Sequence, residues 1–308
     1  MSKDIEKPSL KNRLHAWWEG NEVAQPTKKQ ETAAPAAEPT KAEVKDFEHA
    51  KNGKPLWRAD RIEINQIMWG KGLINPGKPE YVSSLIKPLA INKTMSIVDL
   101  AAGLGGITRY IHRDFGSWMN GFEANSLIAE MGMTQTKEQA LVKQAPIHHY
   151  NPSNFTVPRR FDVAIIKEFM YLLDDKEAFL EQVLNALKPQ GQLMITDYVL
   201  DNEGVLFDLT DWISAEPGNM HLIPMNRMVM LLAKQGYDVR VTEDISANHV
   251  QAIIEGLNNL KEHLKNVTAT DPTREQVLEE AKTWSLRAEA LNKGLKLFRI
   301  HAISNNKS

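Results

Sequence analysis

Short apolar runs alternate with segments of helical spacing through the middle of this chain. Five of these runs have the pattern of β-strands, and they cover residues 96–100, 118–123, 147–150, 161–166 and 192–197. Helices are predicted between them, over residues 107–115, 125–133 and 176–187. Repeated strand–helix–strand units form a parallel sheet that helices cover on both faces. The alternation therefore predicts an α/β fold.

Two further strands are predicted towards the end of the chain, over residues 237–244 and 295–303. The residues between them have helical patterns. We expect residues 246–292 to form, together with residues 57–90, a helical cap over one end of the sheet. Cap and sheet are expected to make one domain over residues 56–308.

The first fifty-odd residues differ in composition from the rest. Residues 1–20 predict a short amphipathic helix, whose apolar stripe consists of Leu10, Leu14, Trp17 and Trp18. A helix of this length is marginal alone, so residues 9–19 are expected to dock on the protein's own surface, on a protein partner or on a membrane surface. Residues 21–55 are rich in Ala, Pro, Thr, Glu, Lys and Gln, which predicts a disordered linker.

Composition excludes several kinds of site. The chain has no cysteine, which removes disulfides, cysteine zinc sites and thiolate nucleophiles. Its formal net charge is −2, so binding dominated by nucleic-acid phosphates is disfavoured. No apolar run approaches the roughly 20 residues that cross a bilayer, and the N-terminus does not resemble a signal peptide. We expect a cytoplasmic protein with no metal site and no nucleic-acid partner.

A glycine-rich turn after the first strand carries the strongest functional signal. Asp99 ends that strand, and Gly103 and Gly105 lie in a turn where the backbone approaches a ligand closely. Glu123 ends the next strand, where a carboxylate accepts hydrogen bonds from both hydroxyls of a ribose. A dinucleotide site would have its third glycine where Thr108 stands, and Asp99 would repel a pyrophosphate. The pattern favours S-adenosylmethionine, which carries an ammonium and a sulfonium group, and leaves a dinucleotide as the alternative.

These residues resemble the class I S-adenosylmethionine-dependent methyltransferases. The family signature Asp-x-Gly-x-Gly-x-Gly stands here as Asp99-x-Ala101-x-Gly103-x-Gly105, and Glu123 matches the ribose-binding acid. Asn151 stands where the family has an Asp that accepts a hydrogen bond from the adenine amino group, which an amide oxygen also does.

The resemblance covers residues 69–244, and residues 187–197 look like the family's fifth-strand signature. It implies a Rossmann-like, doubly wound, mostly parallel seven-stranded sheet with helices on both faces, an antiparallel last strand and a helical cap. It also implies that S-adenosylmethionine is the cofactor.

Within that family the chain is similar to the phosphoethanolamine N-methyltransferases and their sterol and quinone relatives. Residues 69–77 look like the segment that closes over the cofactor there, which implies that Ile74 and Asn75 contact the cofactor. Lys167, at the end of the fourth strand, is assigned to the cofactor site as well. The phosphobase enzymes have a Tyr–His pair over the acceptor, and the aligned positions here hold Trp57 and Leu172, neither of which relays a proton.

The acceptor end of the site is less sharply defined. Histidine is the residue type that most often serves as a general base near neutral pH, which makes His221 the first candidate for a catalytic role, and Tyr171 is the second. Other polar groups expected near the strand ends are Glu168, Asp197, Tyr198, Asp208 and Asp211.

Six large side chains are expected to make the acceptor pocket apolar, namely Trp57, Trp69, Met170, Tyr171, Trp212 and Met220. An apolar pocket favours an apolar or aromatic small-molecule acceptor. Methylation of a macromolecule and a cofactor-binding scaffold without turnover are the alternatives.

Overall fold

A computed structural model describes residues 45–157, 159–266 and 273–306 of the chain. The α-helices of this part are α1 (Lys45–Glu48), α2 (Ala59–Trp69), α3 (Pro79–Ile86), α4 (Gly106–Phe115), α5 (Ser126–Glu138), α6 (Lys176–Ala186), α7 (Thr210–Ala215), α8 (Met225–Lys234), α9 (Ser246–Leu264) and α10 (Thr273–Ala290). Its strands are β1 (Ser96–Asp99), β2 (Trp118–Glu123), β3 (Ile147–His149), β4 (Phe161–Lys167), β5 (Leu187–Leu200), β6 (Tyr237–Asp244) and β7 (Leu295–Ser304).

The seven strands form one sheet in the order β3-β2-β1-β4-β5-β7-β6. Strand β7 is antiparallel to both of its neighbours, and the other pairings are parallel. This confirms the predicted mostly parallel, doubly wound sheet with an antiparallel last strand. The chain leaves β1 on one side towards β2 and returns on the other side as β4, so a crevice opens at the carboxyl ends of β1 and β4.

Helices cover both faces of the sheet, and the central strands are therefore buried on both. On β4, Val163 and Ile165 belong to one hydrophobic core, while Ala164 and Ile166 belong to the core of the opposite face. The continuous apolar run of β4, without polar alternation, follows from this double burial.

The cap consists of α2, α9 and α10, which pack on one another. Helix α9 approaches α2 closely at Gly256, where a Cβ atom would lie 2.4 Å from Cζ3 of Trp69. The Trp69 ring meets Trp284 of α10 edge to face, with 4.6 Å between ring centroids. A single glycine and two aromatic rings thus fix how the three cap helices meet.

The segment ahead of α2 lies against the glycine-rich end of the sheet. The Phe47 ring stacks on Phe169, and His49 bridges to Pro55. Glu48 accepts hydrogen bonds from the backbone N–H (2.8 Å) and the hydroxyl (3.0 Å) of Ser126, the first residue of α5. Residues 45–55 therefore have defined structure, and the linker predicted over residues 21–55 is wrong for this last part.

The helix predicted in residues 1–20, its docking surface at residues 9–19 and the remainder of the linker lie outside the described residues. Within the described ranges, no helix combines the length and the apolar character needed to cross a membrane.

Candidate active site

The glycine-rich turn between β1 and α4 depends on left-handed backbone conformations. Gly103 has φ +55° and Gly105 has φ +78°, a region that side chains disfavour. A Cβ atom on Gly105 would lie 2.6 Å from Cδ1 of Ile147. Only glycine therefore allows α4 to start this close to β3.

Glu123 connects the end of β2 to this turn. One of its carboxylate oxygens accepts a hydrogen bond from the backbone N–H of Gly103 and the other from that of Asn125, both at 2.9 Å. Burial raises the pKa of Glu123 to about 7, against the lowering effect of these two hydrogen bonds. The two hydrogen bonds therefore do not stabilise the ionised carboxylate enough to offset its burial.

Asp99 lies behind the turn. Its side chain accepts a hydrogen bond from the hydroxyl of Thr108 at 2.8 Å, and only 3% of the residue is exposed. Burial raises the pKa of Asp99 to about 6, although Thr108 and the charge of Lys167 act in the opposite direction. Asp99 thus adds a negative field behind the turn without lining the cavity.

A cavity that is partly open to solvent lies at the carboxyl ends of β1, β2 and β4. Five residues predicted to contact a cofactor line it: Ile74, Asn75, Ala101, Glu123 and Lys167. Ile74 closes over the turn, because a Cβ atom on Gly103 would come within 3.2 Å of its Cγ1. Gly103 and Gly105 shape the loop behind this wall.

Asn151 is not among the residues that line this cavity. Its side-chain oxygen accepts a hydrogen bond from the backbone N–H of Ser153 at 3.0 Å, so this oxygen caps the short helix Pro152–Asn154. The Nδ2 of Asn151 is buried and has no hydrogen-bond partner within the described residues. The atom that lacks a partner is thus the nitrogen, a donor, and not the oxygen that the sequence suggested.

Glu168 follows β4 in a strained conformation at the deep end of the cavity. It has φ +53°, which is unusual for a residue with a side chain, and its N–H donates to the carbonyl of Thr196 at 2.6 Å. Its carboxylate forms a buried ion pair with Lys167. Burial favours the neutral acid, but the charge and hydrogen bond of Lys167, together with the charges of His249 and Arg287, outweigh burial and hold the pKa of Glu168 below its ordinary value.

Two more ion pairs line the same end of the cavity. Arg61 Nε lies 2.8 Å from Oε2 of Glu280, and Arg287 donates through Nε to Oε1 of Glu216 at 2.9 Å. The Arg287 guanidinium also stacks over the Trp284 ring, 4.0 Å from its centroid. The acceptor end therefore combines paired charges with aromatic rings.

The predicted apolar pocket is correct only in part. Trp57 and Tyr171 line the cavity, as does Leu172, but Trp69, Met170, Trp212 and Met220 are not among its lining residues. Trp212 is instead fully buried, and its indole N–H donates to Glu216 at 2.6 Å. These four residues lie outside the lining of the cavity. Charged side chains line much of the wall that the sequence assigned to them.

The two predicted catalytic groups have different positions. Tyr171 lines the cavity, and burial raises its pKa, so its hydroxyl stays protonated. His221 does not line the cavity. Its N–H donates to the carbonyl of Tyr171, its own carbonyl accepts from Lys176, and its ring turns outward to Asp174, 3.2 Å away. The prediction of His221 as the general base is therefore wrong.

Three other polar groups that the sequence placed near the strand ends do not line the cavity. Asp208 and Asp211 are exposed, and Asp197 is buried in β5 outside the cavity lining. Within the described residues, no group of three or more His, Cys, Asp or Glu side chains is arranged to hold a metal ion.

Sequence reasoning missed Arg61, Glu216, Glu280 and Arg287. A signal existed on α10, where Val277, Glu280, Trp284 and Arg287 follow each other at helical spacing and are all buried. Charged residues on the apolar stripe of a helix indicate a paired or functional position.

Residues 91–236 match the family described as "Methyltransferase domain". The phosphoethanolamine N-methyltransferase of Plasmodium falciparum is 23% identical over 146 residues, which are 44% of this chain and 52% of that protein. This chain thus spans about half the length of that relative.

Solved structures are similar over more of the chain. Phosphoethanolamine N-methyltransferase 2 of Haemonchus contortus has a TM-score of 0.73 at 15% identity, covering 86% of this chain and 61% of that one. A putative sarcosine dimethylglycine methyltransferase of Galdieria sulphuraria has a TM-score of 0.68 at 14% identity, covering 80% and 99%. These structures share the fold of this chain, and the family match supports the resemblance over residues 91–236, which match a methyltransferase domain.

Proposed function

We propose that the protein transfers the methyl group of S-adenosylmethionine to a small-molecule acceptor. The observation that carries this proposal is Glu123, which lines the cavity at the end of β2 and is hydrogen-bonded to the glycine-rich turn. A carboxylate at this place accepts hydrogen bonds from both hydroxyls of a ribose. The methyltransferase family match over residues 91–236 supports the same reaction.

The charges of the site fit this cofactor better than a dinucleotide. Burial leaves Asp99 and Glu123 with pKa values of about 6 and 7, so a ligand with an ammonium and a sulfonium group would stabilise their ionised forms. A pyrophosphate would need free N–H groups at the start of α4. The N–H of Gly106 there already donates to the carbonyl of Gly72 at 3.0 Å.

The protein contributes mainly by orientation. The cofactor, when bound, supplies an electrophilic methyl group. Ile74 and Asn75 would cover it, Glu123 would hold the ribose, and the walls would orient the acceptor, which lowers the activation barrier by up to roughly 7–11 kcal/mol. The ionised Glu168 stabilises the positive charge that develops on a neutral acceptor as it gains the methyl group.

The acceptor we propose has an apolar or aromatic body and a polar reacting group. Trp57, Tyr171 and Trp284 offer ring surfaces, while Glu168 supplies a carboxylate next to them. The related Haemonchus enzyme was solved with phosphomonomethylethanolamine. The positions of the phosphobase Tyr–His pair hold Trp57 and Leu172 here, so we propose a different acceptor for this chain.

Transfer of a labelled methyl group from S-adenosylmethionine into a cell extract tests the function. Label is expected in the small-molecule fraction with wild-type protein and with Glu130→Ala, which alters an exposed residue of α5. Label is expected to be lost with Gly103→Asp, which strains the turn and fills the space below Ile74.

Two other results would identify the rival activities. Label in protein or nucleic acid would indicate a macromolecular substrate. Cofactor binding without transfer to any fraction would indicate a scaffold and contradict the proposal.

A further inference from the structure

A chain of hydrogen bonds leads away from the acceptor end of the cavity. The Tyr198 hydroxyl lies 3.4 Å from Oε2 of Glu168 and 2.7 Å from Nε2 of His249. The other ring nitrogen of His249, Nδ1, lies 3.0 Å from the hydroxyl of Tyr81. Four polar side chains, one from the residue after β4 and the others from β5, α9 and α3, are thus connected in one line.

The two middle members of this line are shielded from water, and its last member is not. Tyr198 is 1% exposed and His249 is 0% exposed. Tyr81 is half-buried and lines a surface groove with Lys87, Glu243 and Arg299. The line therefore joins the cavity wall to solvent at a different surface.

The protonation states suit passage of a proton. Burial lowers the pKa of His249 to about 4, so its imidazole is neutral, and one nitrogen donates while the other accepts. The charge of Glu168 favours the imidazolium, while Lys167 and Arg287 oppose it. Tyr198 stays protonated because burial raises its pKa.

The geometry points to a proton path from Glu168 through Tyr198 and His249 to Tyr81, which removes the proton that a neutral N–H or O–H acceptor loses when it is methylated. This inference rests on the proposed function. The new bond forms between the methyl carbon and the acceptor atom, and the sulfur–carbon bond breaks with its electron pair left on sulfur. The acceptor's proton passes to Oε2 of Glu168.

Each later transfer moves one proton to the next atom. Glu168 gives its proton to the oxygen of Tyr198, and the hydroxyl proton of Tyr198 passes to Nε2 of His249. Nδ1 of His249 gives its proton to Tyr81, whose own hydroxyl proton goes to water. After product release, the proton left on Nε2 returns through Tyr198 and Glu168 to water in the open cavity, and solvent supplies a proton to Nδ1 through Tyr81.

Tyr81→Phe breaks the path at its solvent end without altering the cavity. Tyr110→Phe is the matched control, because the Tyr110 hydroxyl also bonds a side chain of α3, that of Ser83, at 2.6 Å but is outside the path. With protein in excess over labelled S-adenosylmethionine, a single turnover into the small-molecule extract is timed in H₂O and in D₂O.

We expect Tyr81→Phe to slow transfer at least about tenfold, to increase the solvent isotope effect and to be partly rescued by added imidazole. Tyr110→Phe is expected to retain the wild-type rate, and both variants to bind the cofactor as the wild type does. A Tyr81→Phe rate within twofold of wild type, or a loss that imidazole leaves unchanged, would overturn the path while leaving the methyltransferase function intact. No transfer by the wild-type protein would refute the function and the path together.

Discussion

Replacing Asp99 with Asn is expected to stabilise the protein at neutral and alkaline pH. Burial raises the pKa of Asp99 from 3.8 to about 6, so the folded protein binds the proton more tightly than the unfolded chain does. The stability that this proton contributes is fully present below the unfolded pKa and is lost as pH rises through the folded one. The interval between the two values corresponds to about 3 kcal/mol of unfolding free energy.

The substitution preserves the local hydrogen bonds. The Oδ1 of Asp99 faces the N–H of Ala101 at 3.4 Å, and Oδ2 faces the Thr108 hydroxyl at 2.8 Å. An Asn oxygen still accepts from Ala101, and its nitrogen donates to the oxygen of Thr108 once that hydroxyl rotates. The change therefore removes a buried titratable charge with little change in shape.

Urea unfolding of both proteins between about pH 4 and 8 measures the effect. The stability of the variant relative to wild type should be near zero at the acid end, grow as Asp99 ionises, and level off above about pH 7. Asp162→Asn is the control with the opposite sign, because Lys188 and Ser96 outweigh burial and lower the pKa of Asp162. That variant should be less stable than wild type by a nearly constant amount over this range, because the contribution of Asp162 is lost only below its unfolded pKa of 3.8.

If Asp99→Asn stabilises the protein by the same amount at every pH, the effect comes from packing. If the variant is no more stable than wild type at pH 8, burial does not raise the pKa of Asp99. The same variant should bind S-adenosylmethionine more weakly, because it removes a negative charge from behind the proposed site. Calorimetry at pH 8 measures that loss.

Three further substitutions test the site and its supports. Glu123→Ala should weaken S-adenosylmethionine binding by about 1.5–3 kcal/mol in calorimetry; unchanged affinity would remove this residue from the site. Gly105→Ala should destabilise the fold by at least about 2 kcal/mol in urea, because φ is +78° and the new Cβ would clash with Ile147. Gly53→Ala, with φ +76° in open space, should cost less than half as much. Glu48→Ala should cost about 1 kcal/mol, since it removes acceptors at the start of α5; an unchanged urea midpoint would contradict this.

Most of the sheet was predictable because its strands are local apolar runs between clear breaks. Residues 118–123 and 237–244 were predicted with the bounds that β2 and β6 have. Strand β5 is longer than predicted, 187–200 instead of 192–197. Its end pairs with β7, where Leu200 faces Leu295, and such pairing depends on residues about a hundred positions away, which a local pattern does not report.

The two halves of the candidate site differ in predictability for the same reason. The cofactor half depends on a turn and the strand after it, so Gly103 and Glu123 stand 20 residues apart and are found by spacing. The acceptor half pairs Arg61 with Glu280, which are 219 residues apart. The position of His221 was predicted wrongly because its N–H bonds to the carbonyl of Tyr171 and its ring lies beside Asp174, contacts between distant segments that a local pattern does not report.

The ion pairs at the acceptor end position the elements that they join and contribute little to stability. A buried ion pair contributes little compared with apolar residues of the same volume, yet loss of one partner leaves an unpaired buried charge and costs about 3–5 kcal/mol. Helix α10 supplies one partner in two of the three pairs, Glu280 to Arg61 and Arg287 to Glu216. A shift of α10 would therefore break both pairs at once, whereas an apolar contact would tolerate sliding. The Arg61–Glu280 pair thus fixes α10 against α2 within the cap, and the Arg287–Glu216 pair fixes it against the segment that follows α7.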